Sequence, residues 1–235
     1  MTDSESSVLR LERVSRSFRQ GDVIVRALDD VTLVLRPGEF VAVTGPSGSV
    51  KTTLLNVAGG LDRPDAGRVA VGGQDLGTLS PSALARLRLE RIGFIFQAFN
   101  LVPVLSAEEN AEFILLLRGV PRAARRARVR ALLAEVGLAG LERRRPGELS
   151  GGQQQRVAVV RAIAAEPTLV LADEPTANLD TATASALLDV MEALHHAHRT
   201  TFLFSTHDPR VVERAHRLIR LRDGRVESDE PLAGR

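Results

Sequence analysis

The feature that most constrains this chain is a glycine-rich loop placed between an apolar run and a helical run. The apolar run covers residues 40–44 (FVAVT), the loop covers 45–53 (GPSGSVKTT), and the helical run LLNVA follows at 54–58. A short strand that passes through such a loop into a helix directs several backbone N–H groups, and the positive end of the helix dipole, at one anion. The segment therefore predicts a phosphate-binding loop in an α/β protein.

Two side chains at the end of the loop suit this chemistry. Lysine and arginine together number 31, and Lys51 is the only lysine. Its compact ammonium is suited to neutralise the β- and γ-phosphates of a nucleotide, and the hydroxyl of Thr52 is suited to hold Mg²⁺. The loop residues expected to bind ATP are Gly45, Pro46, Ser47, Gly48, Ser49, Val50, Lys51, Thr52 and Thr53.

The loop departs from the pattern G-x-x-x-x-G-K-[ST] at one residue. The pattern has a glycine directly before the lysine, and this chain has Val50 there. Valine is β-branched and stiff, so we expect strain of about 1–3 kcal/mol where the backbone passes the phosphates. On this expectation ATP binding is weakened and turnover is reduced. The alternative is that the loop adopts torsion angles that valine tolerates, and the replacement is then nearly silent.

Composition narrows the classes of function. Hydrophobic residues make up 44% of the chain and charged residues 26%, which is the balance of a folded globular protein. Cysteine is absent, which excludes thiolate zinc sites, iron–sulfur clusters and cysteine nucleophiles. The net charge of +2 does not indicate nucleic-acid binding. No apolar run approaches the ~20 residues of a transmembrane helix, so we expect any contact with a membrane to come through a partner.

Strand-like and helical segments alternate along the chain, which favours a buried parallel sheet. Strands are expected over residues 8–14, 31–35, 39–44, 69–71, 92–96, 168–172, 200–205 and 218–221. Helical periodicity covers about 81–149 and 181–198, and the tail from residue 228 is expected to be frayed. No linker or repeat divides the chain, so residues 1–235 are expected to form a single domain with a helical subdomain inserted at about 85–150.

Two further segments carry groups that suit nucleotide hydrolysis. The apolar strand at 168–172 is followed by Asp173 and Glu174. Beside a phosphate loop, the first carboxylate can hold Mg²⁺ and the second can activate the water that attacks the γ-phosphate. At 149–156 (LSGGQQQR), Ser150 and Gln153 form an S-x-x-Q capping box, and the two glycines between them leave the N-terminus of a helix open.

Taken in chain order, these motifs resemble those of the ATP-binding subunits of ABC transporters, from about residue 8 to residue 226. The resemblance includes Gln97 in FQAF (96–99), the triplet NLD at 178–180 and His207 in STHD (205–208). The stretches GGLDRP (59–64) and FNLVP (99–103) look like those of the lipoprotein-release and macrolide-efflux branch. The resemblance implies a P-loop NTPase core with an N-terminal antiparallel β subdomain and an inserted α-helical subdomain.

The resemblance also implies a role for each matching residue. The catalytic residues would be Glu174, His207 and Gln97. The ligands of Mg²⁺ would be Thr52, Gln97 and Asp173. Phe18 would stack on the adenine ring. The residues expected to bind the ATP held by a facing subunit are Ser150, Gly151, Gly152, Gln153 and Asp180.

The implied cofactors are ATP and Mg²⁺. The implied partners are membrane-spanning permease subunits and a second ATP-binding subunit, identical or paralogous, and no nucleic acid is expected. The chain would be cytoplasmic and peripheral on the inner face of the cell membrane. Residues 94–113 include an unusually apolar loop around Pro103, and we expect this segment to dock on the permease.

Two alternatives remain open at this point. One is a nucleotide-binding regulatory subunit whose hydrolysis is impaired by Val50, although the presence of Glu174 and His207 argues against complete loss of activity. The other is a non-transport ABC ATPase of the kind that acts in DNA repair. The segment between Gln97 and Ser150 is too short for the long coiled coil that such proteins insert there.

Overall fold

The structure is a computed structural model that describes residues 7–21, 23–46 and 48–232. Within these residues the strands are β1 (Leu9–Gln20), β2 (Val23–Leu35), β3 (Phe40–Thr44), β4 (Ala66–Val71), β5 (Gln74–Asp75), β6 (Ile92–Ile95), β7 (Leu169–Asp173), β8 (Thr201–Ser205), β9 (Arg217–Arg222) and β10 (Arg225–Pro231). The helices are α1 (Gly48–Ala58), α2 (Pro81–Arg91), α3 (Ala107–Leu117), α4 (Arg122–Glu135), α5 (Gly151–Ile163), α6 (Thr181–His198) and α7 (Pro209–Arg214). In the described part of the chain, none of the helices has the length and apolar character needed to cross a membrane.

The N-terminal strands form a four-stranded antiparallel sheet in the order β2-β1-β4-β5. Strand β1 lies inside it, because Leu9 pairs with Leu35 of β2 on one side and with Val71 of β4 on the other. The antiparallel β subdomain implied by the resemblance is thereby confirmed. Strand β1 was expected only to residue 14 but continues to Gln20, since its polar second half pairs with β2 through a sequence of register shifts.

The larger sheet has six strands in the order β10-β9-β3-β8-β7-β6. All neighbours are parallel except β10, which runs antiparallel to β9 at one edge. Because β3, β8 and β7 are adjacent and parallel, their carboxyl ends reach the same edge of the sheet. Residues that follow Thr44, Asp173 and Ser205 are therefore close in space, which is the usual position of a ligand site in an open α/β sheet.

Helices and the antiparallel sheet cover the two faces of the larger sheet, and side chains alternate between these faces along each strand. On one face Val170 and Ala172 of β7 belong to a buried cluster shared with α3, α4, α5 and α6. On the other face Leu169 and Leu171 of the same strand belong to a cluster shared with α1 and the antiparallel sheet. Within residues 85–150, β6 pairs with β7 in the larger sheet, whereas α3 and α4 pack on α5.

The helix expected at 181–198 is confirmed as α6 with the same bounds. The expectation of a frayed tail from residue 228 is wrong for the described residues, because β10 continues to Pro231. Its acidic residues face arginines of β9: Asp229 pairs with Arg217 at 2.6 Å, and Glu230 pairs with Arg220 at 3.2 Å. The charged residues after position 228 suggest a solvated tail in the sequence. In the structure they belong to an edge strand whose acidic side chains pair with the arginines of the neighbouring strand.

Candidate active site

The glycine loop leaves the larger sheet at the end of β3 and enters α1. Gly45 is needed by packing, because a Cβ atom there would lie 2.5 Å from the carbonyl oxygen of Leu221 in β9. Lys51 is 3% exposed, and its Nζ donates a hydrogen bond of 3.0 Å to the carbonyl oxygen of Gly45. The ammonium therefore lies over the start of the loop. Ser47 falls outside the described residues, as does the side chain of Ser49.

Val50 lies in the first turn of α1 and is not among the residues with a positive φ. Its side chain is half-buried and packs against the apolar cluster between α1 and the antiparallel sheet. A helical backbone is one that valine adopts at a cost of only a few tenths of a kcal/mol. The backbone at Val50 is therefore one that valine tolerates, which favours the second alternative, and the effect of Val50 on ATP binding stays a prediction.

Thr52 and Asp173 connect the loop to the end of β7. The hydroxyl Oγ1 of Thr52 donates a hydrogen bond of 2.8 Å to Oδ2 of Asp173. The other carboxylate oxygen, Oδ1, is buried and has no hydrogen-bond partner among the described residues. An unpaired buried carboxylate oxygen is unfavourable unless a cation or donor reaches it. A hydroxyl and a carboxylate are the hard oxygen ligands that Mg²⁺ prefers, so the two side chains fit this ion.

Glu174 and His207 form a close pair at the same edge of the sheet. Nδ1 of His207 lies 2.7 Å from Oε1 of Glu174, and the backbone N–H of His207 donates to Oε2 at 3.3 Å. The Glu174 side chain is 12% exposed and that of His207 is 74% exposed. Glu174 has a φ of 45°, in the left-handed region that non-glycine residues rarely adopt. Such conformations are concentrated at functional sites, where surrounding contacts hold them.

The residues after Glu174 are held by two further contacts. The carbonyl oxygen of Pro175 accepts a hydrogen bond of 2.8 Å from Nε2 of Gln155 in α5. The hydroxyl of Thr176 donates to Oδ2 of Asp208 at 2.6 Å. Burial by itself would raise the pKa of Asp208, but hydrogen bonds from Arg210 and Thr176 outweigh it and lower the pKa to about 2. The loop that carries Glu174 is therefore fixed by α5 on one side and by the residues after His207 on the other.

The N-terminus of α5 contains the expected capping box. Oγ of Ser150 accepts from the N–H of Gln153 at 3.3 Å, and Oε1 of Gln153 accepts from the N–H of Ser150 at 2.9 Å. Gly152 packs against the first turn of α6, because a Cβ atom there would lie 2.2 Å from Cγ2 of Thr183. Asp180 caps α6 by accepting from the N–H of the same threonine at 3.0 Å. The residues predicted to bind a facing subunit's ATP therefore lie side by side.

Gln97 begins a short segment that other parts of the chain hold in place. Its side chain is exposed, and its carbonyl oxygen accepts a hydrogen bond of 2.9 Å from Nδ2 of Asn178. Phe99 and Asn100 follow with φ values of 56° and 52°. The guanidinium of Arg161 in α5 donates to both of their carbonyl oxygens, at 2.8 and 2.5 Å. Burial lowers the pKa of Arg161, which packs beneath this segment.

Phe18 lies near the turn between β1 and β2, away from the buried clusters. The residue is 40% exposed, and the guanidinium carbon of Arg16 lies 4.8 Å from the ring centroid. Arg16 in turn donates to Asp62 and Asp65, so it is fixed over the aromatic face. An exposed ring with a guanidinium beside it can stack on a planar base.

Gln155 and Arg161 hold the site but are not among the residues predicted from the sequence. Gln155 is the third glutamine of QQQ and looks solvated, but it lies one helical turn before Val159, which is fully buried. Its position on the apolar face of α5 was the available signal. For Arg161 no comparable signal exists, because its two acceptors are backbone atoms about 60 residues away in the chain.

Comparison with known proteins gives matches over most of the chain. Residues 28–177 match a family model described as ABC transporter. The chain is 46% identical over 222 residues to the lipoprotein-releasing system ATP-binding protein LolD of Chromohalobacter salexigens, which covers 94% of each chain. It is 48% identical over 222 residues to the macrolide export ATP-binding/permease protein MacB of Hyphomonas neptunium, but this chain spans only 34% of that relative's length.

Solved structures agree on the fold. A dimeric post-hydrolysis structure of the ATP-binding cassette MJ0796 bound to ADP and Pi matches with a TM-score of 0.87 and 39% sequence identity. The match covers 96% of this chain and 99% of that one. A second dimeric structure of the MJ0796 bacterial ABC transporter cassette matches with a TM-score of 0.88.

Proposed function

The chain belongs to the ABC transporter family, and we propose that it is an ATP-hydrolysing subunit that acts as a head-to-tail dimer and drives separate membrane-spanning permease subunits. This proposal rests on three contacts that lie at one edge of the larger sheet. Lys51 covers the glycine loop, Thr52 contacts Asp173 at 2.8 Å, and Glu174 contacts His207 at 2.7 Å. Together these groups can hold a triphosphate, a divalent cation and an attacking water.

ATP binding uses the loop, its lysine and the start of α1. Backbone N–H groups of the loop, other than that of Pro46, which has none, and the N-terminus of α1 would surround the β- and γ-phosphates, and the ammonium of Lys51 would neutralise them. Thr52 and Asp173, with Gln97, would hold Mg²⁺. Bound Mg²⁺ would offset the negative charge on the β- and γ-phosphate oxygens. Phe18 would stack on the adenine.

Hydrolysis would use Glu174 as the general base. Water attacks the γ-phosphorus, the bond from that phosphorus to the bridging oxygen of ADP breaks, and the proton of the water passes to the Glu174 carboxylate. The contact of 2.7 Å between Oε1 of Glu174 and Nδ1 of His207 holds the carboxylate in one orientation. His207 is exposed enough to contact the γ-phosphate, and Gln97 would orient the same water.

One chain contains one glycine loop and one segment 150–153. A complete site would combine the loop of one subunit with the 150–153 segment of the facing subunit, so it needs a second subunit. Ser150, Gly151, Gly152, Gln153 and Asp180 would contact the ATP bound by the facing chain. The open N-terminus of α5, next to exposed Ser150 and Asp180, supports this arrangement. The dimeric structures of the related cassette support it as well.

Docking on a permease would use residues 94–113. A largely apolar groove of about 230 Å³ lies there, with Phe94, Phe96 and Phe113 in its lining. In the same segment Val104 is 72% exposed, and Phe113 of the groove lining is 41% exposed. Exposed apolar surface next to a groove is typical of a protein interface. Through it the chain would lie on the cytoplasmic side of a membrane without entering it.

A regulatory subunit without turnover is the second candidate, because Val50 replaces the second glycine of the loop. The helical backbone at Val50 favours an active ATPase. Phosphate release by the purified chain with ATP and Mg²⁺ separates the two functions. We expect release that EDTA abolishes and that rises more steeply than linearly with protein concentration. Binding of a fluorescent ATP analogue without phosphate release would support the regulatory subunit.

A further inference from the structure

Gln155 is a fully buried polar side chain in the middle of α5. It is 0% exposed, and its Nε2 donates to the carbonyl oxygen of Pro175 at 2.8 Å. Its Oε1 is buried and has no hydrogen-bond partner in the part of the chain that the structure describes. A buried amide with an unpaired oxygen is less favourable than an apolar side chain of the same size. The hydrogen bond to the Pro175 carbonyl is therefore the one favourable polar interaction of this amide in the described part of the chain, and it is the reason we give for an amide at this buried position.

Pro175 is attached directly to Glu174, whose backbone is in the left-handed region. The N–H of Glu174 donates to the carbonyl oxygen of Ser205 in β8 at 2.9 Å. The carbonyl oxygen of the next residue is held by Gln155, so the backbone on each side of Glu174 has its own anchor. A non-glycine residue keeps such a conformation only while its surroundings hold it. Loss of the Gln155 anchor would let the Pro175 carbonyl rotate and the Glu174 carboxylate leave His207.

The same helix begins at the segment that would contact the facing subunit's ATP. Ser150 is the N-cap of α5, and Gln155 lies five residues later, about 7.5 Å along the helix axis. A helix of this length moves as one body, because each turn is hydrogen-bonded to the next. Any displacement of the Ser150 end therefore reaches the Pro175 carbonyl through one buried hydrogen bond.

We propose that Gln155 is a positioning residue that fixes Glu174 relative to the Ser150 end of α5. It thereby couples nucleotide bound by the facing subunit to the base in this subunit's own site. This inference rests on the proposed function. Gln155 is fully buried and its side chain bonds to the Pro175 carbonyl, so we expect its loss to lower the rate of hydrolysis and to leave ATP binding by Lys51 and Thr52 intact.

The test compares Gln155→Met with Gln154→Met. Both variants put an unbranched apolar side chain in place of an amide, but the side chain of Gln154 donates to the carbonyl oxygen of Leu149, five residues earlier, and not to the loop that carries Glu174 within the described residues. We expect kcat to fall at least tenfold in Gln155→Met with KM for ATP within twofold of the unmodified chain, and both constants to be nearly unchanged in Gln154→Met. A kcat within threefold of the unmodified chain contradicts the proposal. So does a fall in kcat that is matched by an equal loss of ATP-analogue binding or of folded protein.

A second measurement does not depend on hydrolysis. Hydrogen–deuterium exchange of a peptide covering residues 173–177 should become at least fivefold faster in Gln155→Met, while exchange within α6 stays the same. Unchanged exchange in this peptide overturns the inference. If the unmodified chain releases no phosphate, the proposed function fails, and the exchange result still decides whether Gln155 holds the Glu174 loop.

Discussion

The hydroxyl of Thr52 donates a hydrogen bond of 2.8 Å to Asp173, although 121 positions separate the two residues in the chain. The contact exists because α1 starts at the carboxyl end of β3 and Asp173 ends β7, two strands away in the same parallel sheet. Among the described residues the other oxygen, Oδ1 of Asp173, is buried and has no hydrogen-bond partner, so the Thr52 hydroxyl and this carboxylate suit a divalent cation.

Thr52→Val removes the hydroxyl and keeps the shape of the side chain. We expect the Mg²⁺ concentration for half-maximal hydrolysis to rise about tenfold, because a ligand or hydrogen bond of this kind contributes about 1–1.5 kcal/mol. A titration of phosphate release against Mg²⁺ measures it. Thr168→Val, at the opposite end of β7, is the matched control. An unchanged Mg²⁺ requirement in Thr52→Val argues against Thr52 as a ligand.

Glu174→Gln keeps the size of the side chain and removes its basicity. Turnover should fall by at least 10²-fold while ATP stays bound, because the proton acceptor for the attacking water is lost. Size-exclusion chromatography with ATP should then detect a stable dimer. Glu90→Gln, an exposed change in α2, should hydrolyse ATP normally. Hydrolysis at the normal rate in Glu174→Gln rejects Glu174 as the base.

Val50→Gly restores the glycine of the loop pattern. The helical backbone and half-buried side chain at Val50 lead us to expect a loss of about 1 kcal/mol in stability and an ATP affinity within threefold of the unmodified chain. Thermal unfolding and titration with a fluorescent ATP analogue measure the two effects. Val190→Gly in α6 should lose similar stability with no change in affinity. A gain of fivefold or more in affinity in Val50→Gly shows that Val50 obstructs the phosphates.

Asp208 should make the fold sensitive to acid. Its pKa in the folded chain is about 2, below the roughly 3.9 of an unfolded chain. The carboxylate therefore stabilises the fold above about pH 4, and this contribution, of the order of 2 kcal/mol, is lost as the pH falls from 4 towards 2. Urea unfolding of Asp208→Asn should show the largest loss at pH 6 and a smaller one near pH 2.5. Asp189→Asn, at an exposed position in α6, is the control for the change of charge and should lose less stability at pH 6 than Asp208→Asn.

Residues 99–105 should lie against the permease. Cysteine is absent from the chain, so single cysteines at Val102 and Val104 can be labelled specifically. In membranes that contain the partner we expect both to form crosslinks to it, and a cysteine at Arg86 on α2 to form none. Rapid reaction of Val102→Cys with a bulky thiol reagent in the assembled complex indicates that the surface is free, which contradicts docking at this segment.

Features that depend on neighbouring residues were predictable from the sequence. The capping box of Ser150 and Gln153 spans four residues, and the helix after Asp180 has a periodic pattern and a side chain that caps it. The strand, loop and helix around Lys51 are likewise contiguous. In the capping box and in the helix one short segment contains the atoms that form the hydrogen bonds, and in the loop the glycines, the lysine and the threonine are contiguous, so the residue types decide the local structure.

Only the tertiary structure decided which distant groups meet. The strand order places Thr52 beside Asp173, and the packing of α5 places Gln155 on the Pro175 carbonyl and Arg161 on those of Phe99 and Asn100. Residue type does not reveal such contacts, because each ends on an atom that the sheet brings from another part of the chain. The sequence alone left open whether Val50 strains the loop. Its torsion angles depend on where α1 begins, and that is set by the packing of the helix on the sheet.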